Sequence, residues 1–367
     1  MKVAIIHYWL INLRGGEKVL ESLCETFPQA DIYTHVYNPD AFSQSIISKH
    51  KVTTTFINKL PRAQKAYQSY LPLMPMALEE LDLNGYDLII SCESGPAKGI
   101  IPPPGVPHIC YCHSPMRYAW DMYPQYKAKA GRLKRWLMPP LMHYLRRWDQ
   151  QTSTQVSHFV ANSHFIASRI QTYYRRDAEV IHPPVSFEEF ELAESHQGYY
   201  LLLGQLVRYK RADIAVEAFN KTGKRLIVVG EGEQFDELKA IAGPSVELRG
   251  RLPFSEIKSL LAGCKALVFP GVEDFGIVPL EAMACGKPVI AYGKGGALET
   301  VQHGVTGLLF DEQNEQSLNN AINQFETDYA QFDCHTIRQH ASGFGKDVFK
   351  RRFSTFVDRI FATKQQG

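Results

Sequence analysis

The feature that most constrains this chain is a repeated pattern. A short, almost wholly apolar run of four or five residues gives way to a loop and then to a stretch with helical spacing, many times over. Candidate strands are residues 3–7, 87–91, 108–112, 158–161, 200–204, 226–230, 246–250, 266–270 and 289–291. Candidate helices between them are 16–27, 165–174, 212–220, 235–242 and 256–263, the last with Ser255 as its expected cap. Strand–helix alternation of this kind predicts parallel sheets covered by helices. At 367 residues the chain exceeds what one core normally supports. The pattern also restarts after Pro183-Pro184-Val185 and the acidic, strand-poor stretch 188–197. The expectation is therefore an α/β protein of two Rossmann-like domains whose parallel sheets face a central cleft. Residues 1–187 form the first and 188–345 the second, with 346–367 a terminal helix packing back on the first. Ligands of such sheets gather at the carboxyl ends of the strands.

Composition narrows the class without choosing a function. Apolar residues make up 45% and charged residues 21%, the balance of a soluble globular protein. With 40 lysines and arginines against 38 acidic residues, the net charge of +2 gives no global reason to bind nucleic acid. The seven cysteines are scattered, form no C-x-x-C pair and sit mostly in apolar runs, so buried reduced thiols are expected. Cys110 and Cys112 would share one strand face while His113 turns to the other, which argues against a metal site there. The first residues read as a strand and lack the features of a signal peptide. Residues 136–145 are too few to span a bilayer and hold two prolines, so a cytoplasmic protein is expected.

The chemistry concentrates in residues 272–291. This stretch follows an apolar strand, passes through Phe275-Gly276 and enters a helix with Pro279 in its first turn, where a missing N–H is harmless. The leading amides of Gly276, Ile277 and Val278 would present unpaired N–H groups and the positive helix end to an anion. Glu273 precedes that helix and Glu281 lies about a turn inside it, so two carboxylates flank a diphosphate-sized space. A carboxylate can accept two neighbouring hydroxyls, which suits a ribose diol at Glu281 and sugar hydroxyls at Glu273. Together with the run 283–290, Gly295-Gly296 and the run 304–310, this segment resembles the E-x7-E region of the family 4 (group 1) retaining nucleotide-sugar glycosyltransferases, which have the GT-B fold.

That resemblance, strongest over 199–310, implies roles for other residues. Gly15 and Gly16, opening the first helix, match the loop where backbone approaches the donor diphosphate and the acceptor; His7 ends the strand before it. His113 matches a histidine that contacts the transferred sugar, and Arg117, Trp120 and Asp121 extend it toward sugar or acceptor. Lys210 matches the lysine that stabilises the leaving diphosphate. The arginine expected after Gly204 is Gln205 here, and Arg208 is the nearby candidate for its charge. Gly230 matches a second donor loop, and Arg251 and Leu252 the segment beside the nucleobase. No D-x-D triplet occurs, so the cations and the helix end would act with neither metal nor other cofactor.

The stretches 113–121 and 205–213 are most similar to bacterial polysaccharide mannosyltransferases. The implied donor is GDP-mannose and the implied acceptor a lipid-linked oligosaccharide used in surface polysaccharide or lipopolysaccharide synthesis. A nucleotide-sugar epimerase of the same fold is an alternative, as is a catalytically silent sugar-binding or assembly protein. Basic residues interleaved with Trp136, Leu137, Met138, Leu141 and Trp148 across 126–148 suit a helix lying on anionic lipid at the inner face of the cytoplasmic membrane.

Overall fold

Every strand pairing among residues 1–364, which the computed structural model describes, is parallel. The first sheet contains β1 (Val3–His7), β2 (Asp31–Thr34), β3 (Val52–Thr54), β4 (Leu88–Glu93), β5 (His108–Cys112), β6 (His158–Ala161) and β7 (Ala178–Val180), in the order β3-β2-β1-β4-β5-β6-β7. The second contains β8 (Tyr200–Leu203), β9 (Leu226–Val229), β10 (Val246–Leu248), β11 (Ala266–Phe269), β12 (Val289–Tyr292) and β13 (Gly307–Phe310), in the order β10-β9-β8-β11-β12-β13. β1, β4, β5 and β9 are buried at every position, as strands covered by helices on both faces must be. The edge strands β3 and β7 are only half-buried or exposed.

Both strand orders reverse direction once, between β1 and β4 in the first sheet and between β8 and β11 in the second. At such a switch point the connections run off to opposite faces and leave a crevice at the carboxyl ends of the two central strands. His7 and Glu93 end the pair in the first sheet. Gly204 and Pro270 follow the pair in the second.

The chain divides into one unit of residues 1–182 together with those from Lys350 on, and a second of Pro183–Phe349. The division comes earlier than residue 188 because Val185 bridges to Gly345 and donates its N–H to the Phe344 carbonyl at 2.9 Å, which fastens it to the second unit. The last helix, Lys346–Lys364, contributes Lys350, 3.2 Å from Glu25, and Phe353, packed on Phe27, to the first unit. Ser255 is not a cap. The helix begins at Phe254 behind Pro253, which leaves Ser255 inside the first turn. Burial pushes the thiols of Cys24, Cys264 and Cys285 up to about 12, consistent with inert packing residues, and all seven cysteines are free.

Gly295 and Gly296 let the loop after β12 lie on the backbone between Glu273 and Phe275. Gly296 donates its N–H to the Glu273 carbonyl at 2.9 Å, and a Cβ there would stand 2.2 Å from both the Cα and the carbonyl oxygen of Phe275. Its φ is ordinary, so sterics alone demand glycine. Gly296→Ala is expected to cost about 1–3 kcal/mol through overpacking. That is a fall of several degrees in melting temperature for a unit of this size; an unchanged melting curve would refute the contact.

Candidate functional site

In the second unit, the switch point between β8 and β11 holds a charged pair. Lys210 stands at the end of the short turn Arg208–Lys210 after β8, and its Nζ lies 2.8 Å from Oε1 of Glu273, with each side chain about one-fifth exposed (20% and 21%). Gly204, Gln205, Lys210, Pro270, Gly271 and Glu273 line a small pocket around them. Immediately after, the helix Ile277–Ala284 starts from Gly276 at φ 92°, a left-handed conformation that glycine takes at no steric cost. Pro279 sits in its first turn, Phe275 is buried before it, and Glu281 is half-buried in the following turn. Gly230 brings the loop after β9 against the loop after β8: its N–H donates to Gly250, and a Cβ would lie 1.8 Å from the Gly204 carbonyl oxygen. Arg251 is exposed just beyond β10, and Leu252 is half-buried against the core. A fixed ammonium and a helix N-terminus can each stabilise an oxyanion, and the carboxylates of Glu273 and Glu281 can accept hydroxyls.

In the first unit, His7 and Glu17 are both buried, with His7 Nε2 3.4 Å from Glu17 Oε1. Glu17 lies in the first turn of the helix Gly15–Thr26 and its other oxygen accepts the Arg14 N–H at 2.9 Å. Gly16 passes close to two side chains: a Cβ on it would sit 2.8 Å from the Tyr8 hydroxyl and 3.7 Å from His113 Nε2. Burial, with His7 adding repulsion, pushes His113 down to about 3, so its ring is neutral. Neither His7 Nδ1 nor His113 Nε2 has a hydrogen-bond partner among the described residues, although both are buried. A neutral imidazole such as that of His113 suits hydroxyl groups.

The loop carrying His113 is anchored by a buried ionic cluster. Lys98, Glu93 and Asp149 have no solvent exposure; Lys98 Nζ binds Asp149 Oδ1 and lies 3.7 Å from Glu93 Oε1. Asp149 Oδ2 accepts from Trp120 Nε1 at 2.7 Å and from the Tyr174 hydroxyl at 2.9 Å. At the other end of the loop, the His113 N–H donates to the Glu93 carbonyl at 2.7 Å and Asn162 Nδ2 donates to the His113 carbonyl at 3.0 Å. Burial pushes Glu93 up to about 8 against the pull of Lys98. Burial opposes the charge on Lys98, yet Asp149 and Glu93 hold it above the ordinary lysine range.

The structure thus draws together Lys210 with Glu273, and His7 with Glu17 beside Gly16 and His113. It does not draw in all the residues expected. Arg208 is mostly exposed and directed to Glu237 at 4.0 Å. Trp120 is taken up by Asp149 and by stacking on Tyr173, and Asp121 by Arg169, which also donates to Ser114. Arg117 stands half-buried in the same loop. Glu93, Lys98 and Asp149 escaped the reading of the sequence. Their signal was a carboxylate closing an otherwise apolar strand with a lysine five residues on. Among the described residues no cluster of three or more histidine, cysteine or acidic side chains could hold a metal ion.

Two family models match the chain in succession, Glycosyltransferase Family 4 over residues 13–189 and Glycosyl transferases group 1 over residues 186–342. The chain belongs to the family 4, group 1 glycosyltransferases. An uncharacterized glycosyltransferase of Methanocaldococcus jannaschii is 30% identical over 214 residues, 57% of this chain and 59% of the relative. The alpha-1,3/1,6-mannosyltransferase of Mus musculus is 28% identical over 239 residues, 54% of each. The chain therefore spans little more than half the length of these curated relatives. Among solved structures, Anabaena HepE in complex with UDP superposes with a TM-score of 0.72 at 19% identity, over 98% of this chain and 100% of that one. That likeness establishes a GT-B fold for this chain, two parallel-sheet α/β domains of seven and six strands. The whole second-unit site, from Arg208 to Glu281, lies inside the group 1 match.

The cluster makes stability pH-dependent in a way specific to Glu93. Folded Glu93 keeps its proton up to about 8, whereas unfolded it loses the proton near 4.5, so stability falls as pH rises between those values and levels off above them. His35, His108 and His113, each held neutral down to about 3, act oppositely: their contribution is full above about 6.5 and is lost as pH falls below it. Between pH 6.5 and 8 the slope of Glu93 remains alone among these groups. Wild-type stability should drop there by about 2 kcal/mol, at roughly 1.4 kcal/mol per pH unit. Glu93→Gln should be nearly flat in chemical denaturation over the same interval; parallel declines would disprove the protonated carboxyl.

Proposed function

We propose that this glycosyltransferase transfers mannose from GDP-mannose, with retention, to a lipid-linked oligosaccharide acceptor in bacterial surface-polysaccharide synthesis. The observation that carries the donor half of this reading is the Lys210–Glu273 pair at the β8/β11 switch point, followed directly by the Gly276 helix N-terminus and Glu281. Support for mannose comes from the mannosyltransferase relative. Support for the acceptor comes from the likeness of 113–121 and 205–213 to polysaccharide mannosyltransferases and from the exposed basic surface over 126–148, which suits the inner face of the cytoplasmic membrane.

The bond between the sugar's anomeric carbon and the diphosphate oxygen breaks as a bond from that carbon to the acceptor hydroxyl oxygen forms. The hydroxyl proton passes to the departing diphosphate on the same face. Charge grows on the diphosphate. Lys210 and the leading amides of Gly276, Ile277 and Val278 meet it without a metal, with Arg208 as an outer cation. Glu281 takes the ribose diol and Glu273 the sugar hydroxyls, while Gly230, Arg251, Leu252 and Phe275 shape the nucleoside side. In the first unit, Gly15 and Gly16 offer backbone, and His7, His113 and Arg117 offer hydrogen bonds to sugar or acceptor; Trp120 and Asp121 hold the loop.

Glu281→Ala should leave the fold intact and weaken donor binding roughly 10- to 100-fold, the loss of a charged hydrogen bond worth about 1.5–3 kcal/mol. Wild-type affinity measured by calorimetry in that variant would defeat the ribose assignment. Lys210→Ala should lower turnover on the order of 10²–10³-fold, while chelator leaves the wild type unaffected. Inactivation by chelator would instead indicate a metal.

Thermal shift separates the nucleotides. A ligand of the folded state adds about 2.7 kcal/mol at a hundredfold excess over Kd, so GDP should raise the melting temperature clearly more than UDP at equal concentration. The reverse ranking would overturn GDP-mannose as donor and leave glycosyl transfer standing.

A further inference from the structure

The helix Arg132–Thr152 differs sharply between its halves. From Met142 onward it buries Met142, Leu145, Trp148 and Asp149 within the first unit. Its first nine residues bury nothing: Leu133 is 72% exposed, Trp136 76% and Leu137 46%. The preceding helix, Tyr123–Lys129, also buries nothing and leaves Tyr126 48% exposed. Apolar side chains this large, clustered on one projection, mark a surface that meets something less polar than water.

Charge decides what that is. Residues 122–148 hold seven lysines and arginines and no aspartate or glutamate, in a chain whose charges otherwise nearly cancel. A second copy of the chain would set this cationic surface against itself. Nucleic acid would satisfy the cations but leave Leu133 and Leu137 in water. An anionic bilayer satisfies both, with the apolar side chains entering the headgroup boundary while the cations meet lipid phosphates. No helix among the described residues is long and apolar enough to cross a membrane, so the contact is interfacial.

The structure assigns the projection Tyr123–Pro140 as a docking surface for an anionic lipid bilayer, with Trp136 and Leu133 as the inserting residues. This rests on the proposal that the acceptor is lipid-linked, and it adds a mechanical consequence. The buried half of the same helix holds the candidate-site loop: Asp149 binds Trp120, and Arg146 donates to the Ala119 carbonyl. Docking one half to the bilayer therefore fixes the orientation of the His113–Asp121 loop to the membrane plane.

The test is binding of the full chain to vesicles of phosphatidylcholine with and without phosphatidylglycerol, in the absence of any donor. Wild type should sediment with the anionic vesicles only, less so at high salt, and its tryptophan emission should shift to shorter wavelength. Trp136→Phe should keep most of the binding and lose the shift. Neutralising Lys127, Lys129, Lys134 and Arg135 to glutamine should weaken binding on the order of 10³-fold. Leu133→Ser with Trp136→Ser should weaken it at least about tenfold. Because none of these residues is buried, melting curves should not move, which certifies the folds. Equal binding to neutral vesicles, no binding, binding unaffected by the charge variant, or a dimer abolished by Trp136→Ser would each overturn the proposal. None of these readouts depends on sugar transfer, so a failed docking surface leaves the GDP thermal shift unaffected, and a failed donor assignment leaves vesicle binding intact.

Discussion

Burial of parallel strands on both faces is the constraint from which the rest follows. A strand whose every side chain is inside can offer chemistry only at its ends, and parallel pairing places all the carboxyl ends on one side. At a switch point the covering helices part, so the crevice falls where β1 meets β4 and where β8 meets β11. Lys210 and Glu273 stand at the second of these positions because β8 and β11 are neighbours, although 63 residues of chain separate them. Close backbone packing then sets the shape: Gly230 against Gly204, and Gly296 against Phe275, hold the loops at distances no side chain would permit.

The first unit bears a different kind of cost. Burying Lys98, Glu93 and Asp149 removes three ionisable groups from water, and an uncompensated buried charge costs several kcal/mol. Protonation of Glu93 leaves a single ion pair, Lys98 with Asp149, whose remaining acceptor positions are filled by Trp120 and Tyr174. Such a pair adds little net stability, but it is directional. It fixes one end of the His113–Asp121 loop while the Glu93 backbone fixes the other, so the imidazole of His113 is placed by an electrostatic frame rather than by loop propensity.

Much of this was legible in the chain. Strongly apolar runs such as 3–7, 108–112 and 158–161 became strands with the same bounds, because full burial demands an unbroken apolar sequence. The short strands β2, β3 and β7 were not legible: Asp31–Thr34, Val52–Thr54 and Ala178–Val180 lie toward the sheet edges, and half-exposed positions leave no continuous run. The helix read across 126–148 is present as Tyr123–Lys129 and the 21-residue Arg132–Thr152, the latter running through Pro139 and Pro140 because packing of Met142, Leu145 and Trp148 overrides a poor local propensity. The Glu273–Glu281 segment was readable since both carboxylates, the glycine and the helix start are local. The pairing of Glu93 with Asp149 through Lys98 was not, because it depends on long-range contacts across 51 residues.

Within the proposed function, the occupied state of Trp120 and Asp121 shifts recognition in the first unit onto its histidines. Trp120 and Asp121 already hold the loop through Asp149 and Arg169, so a sugar contact there would have to displace the bonds that position His113. His7 Nδ1 and His113 Nε2 are the opposite case. Each is a buried polar nitrogen with no hydrogen-bond partner among the described residues, a condition that costs about 1–3 kcal/mol and that a hydroxyl relieves. Glu17, at 3.4 Å from His7 Nε2, engages that nitrogen and leaves Nδ1 for a ligand. Neutral His113 can donate or accept, so it can read a hydroxyl in either sense. That is the discrimination a polyol ligand requires and a charged residue cannot supply.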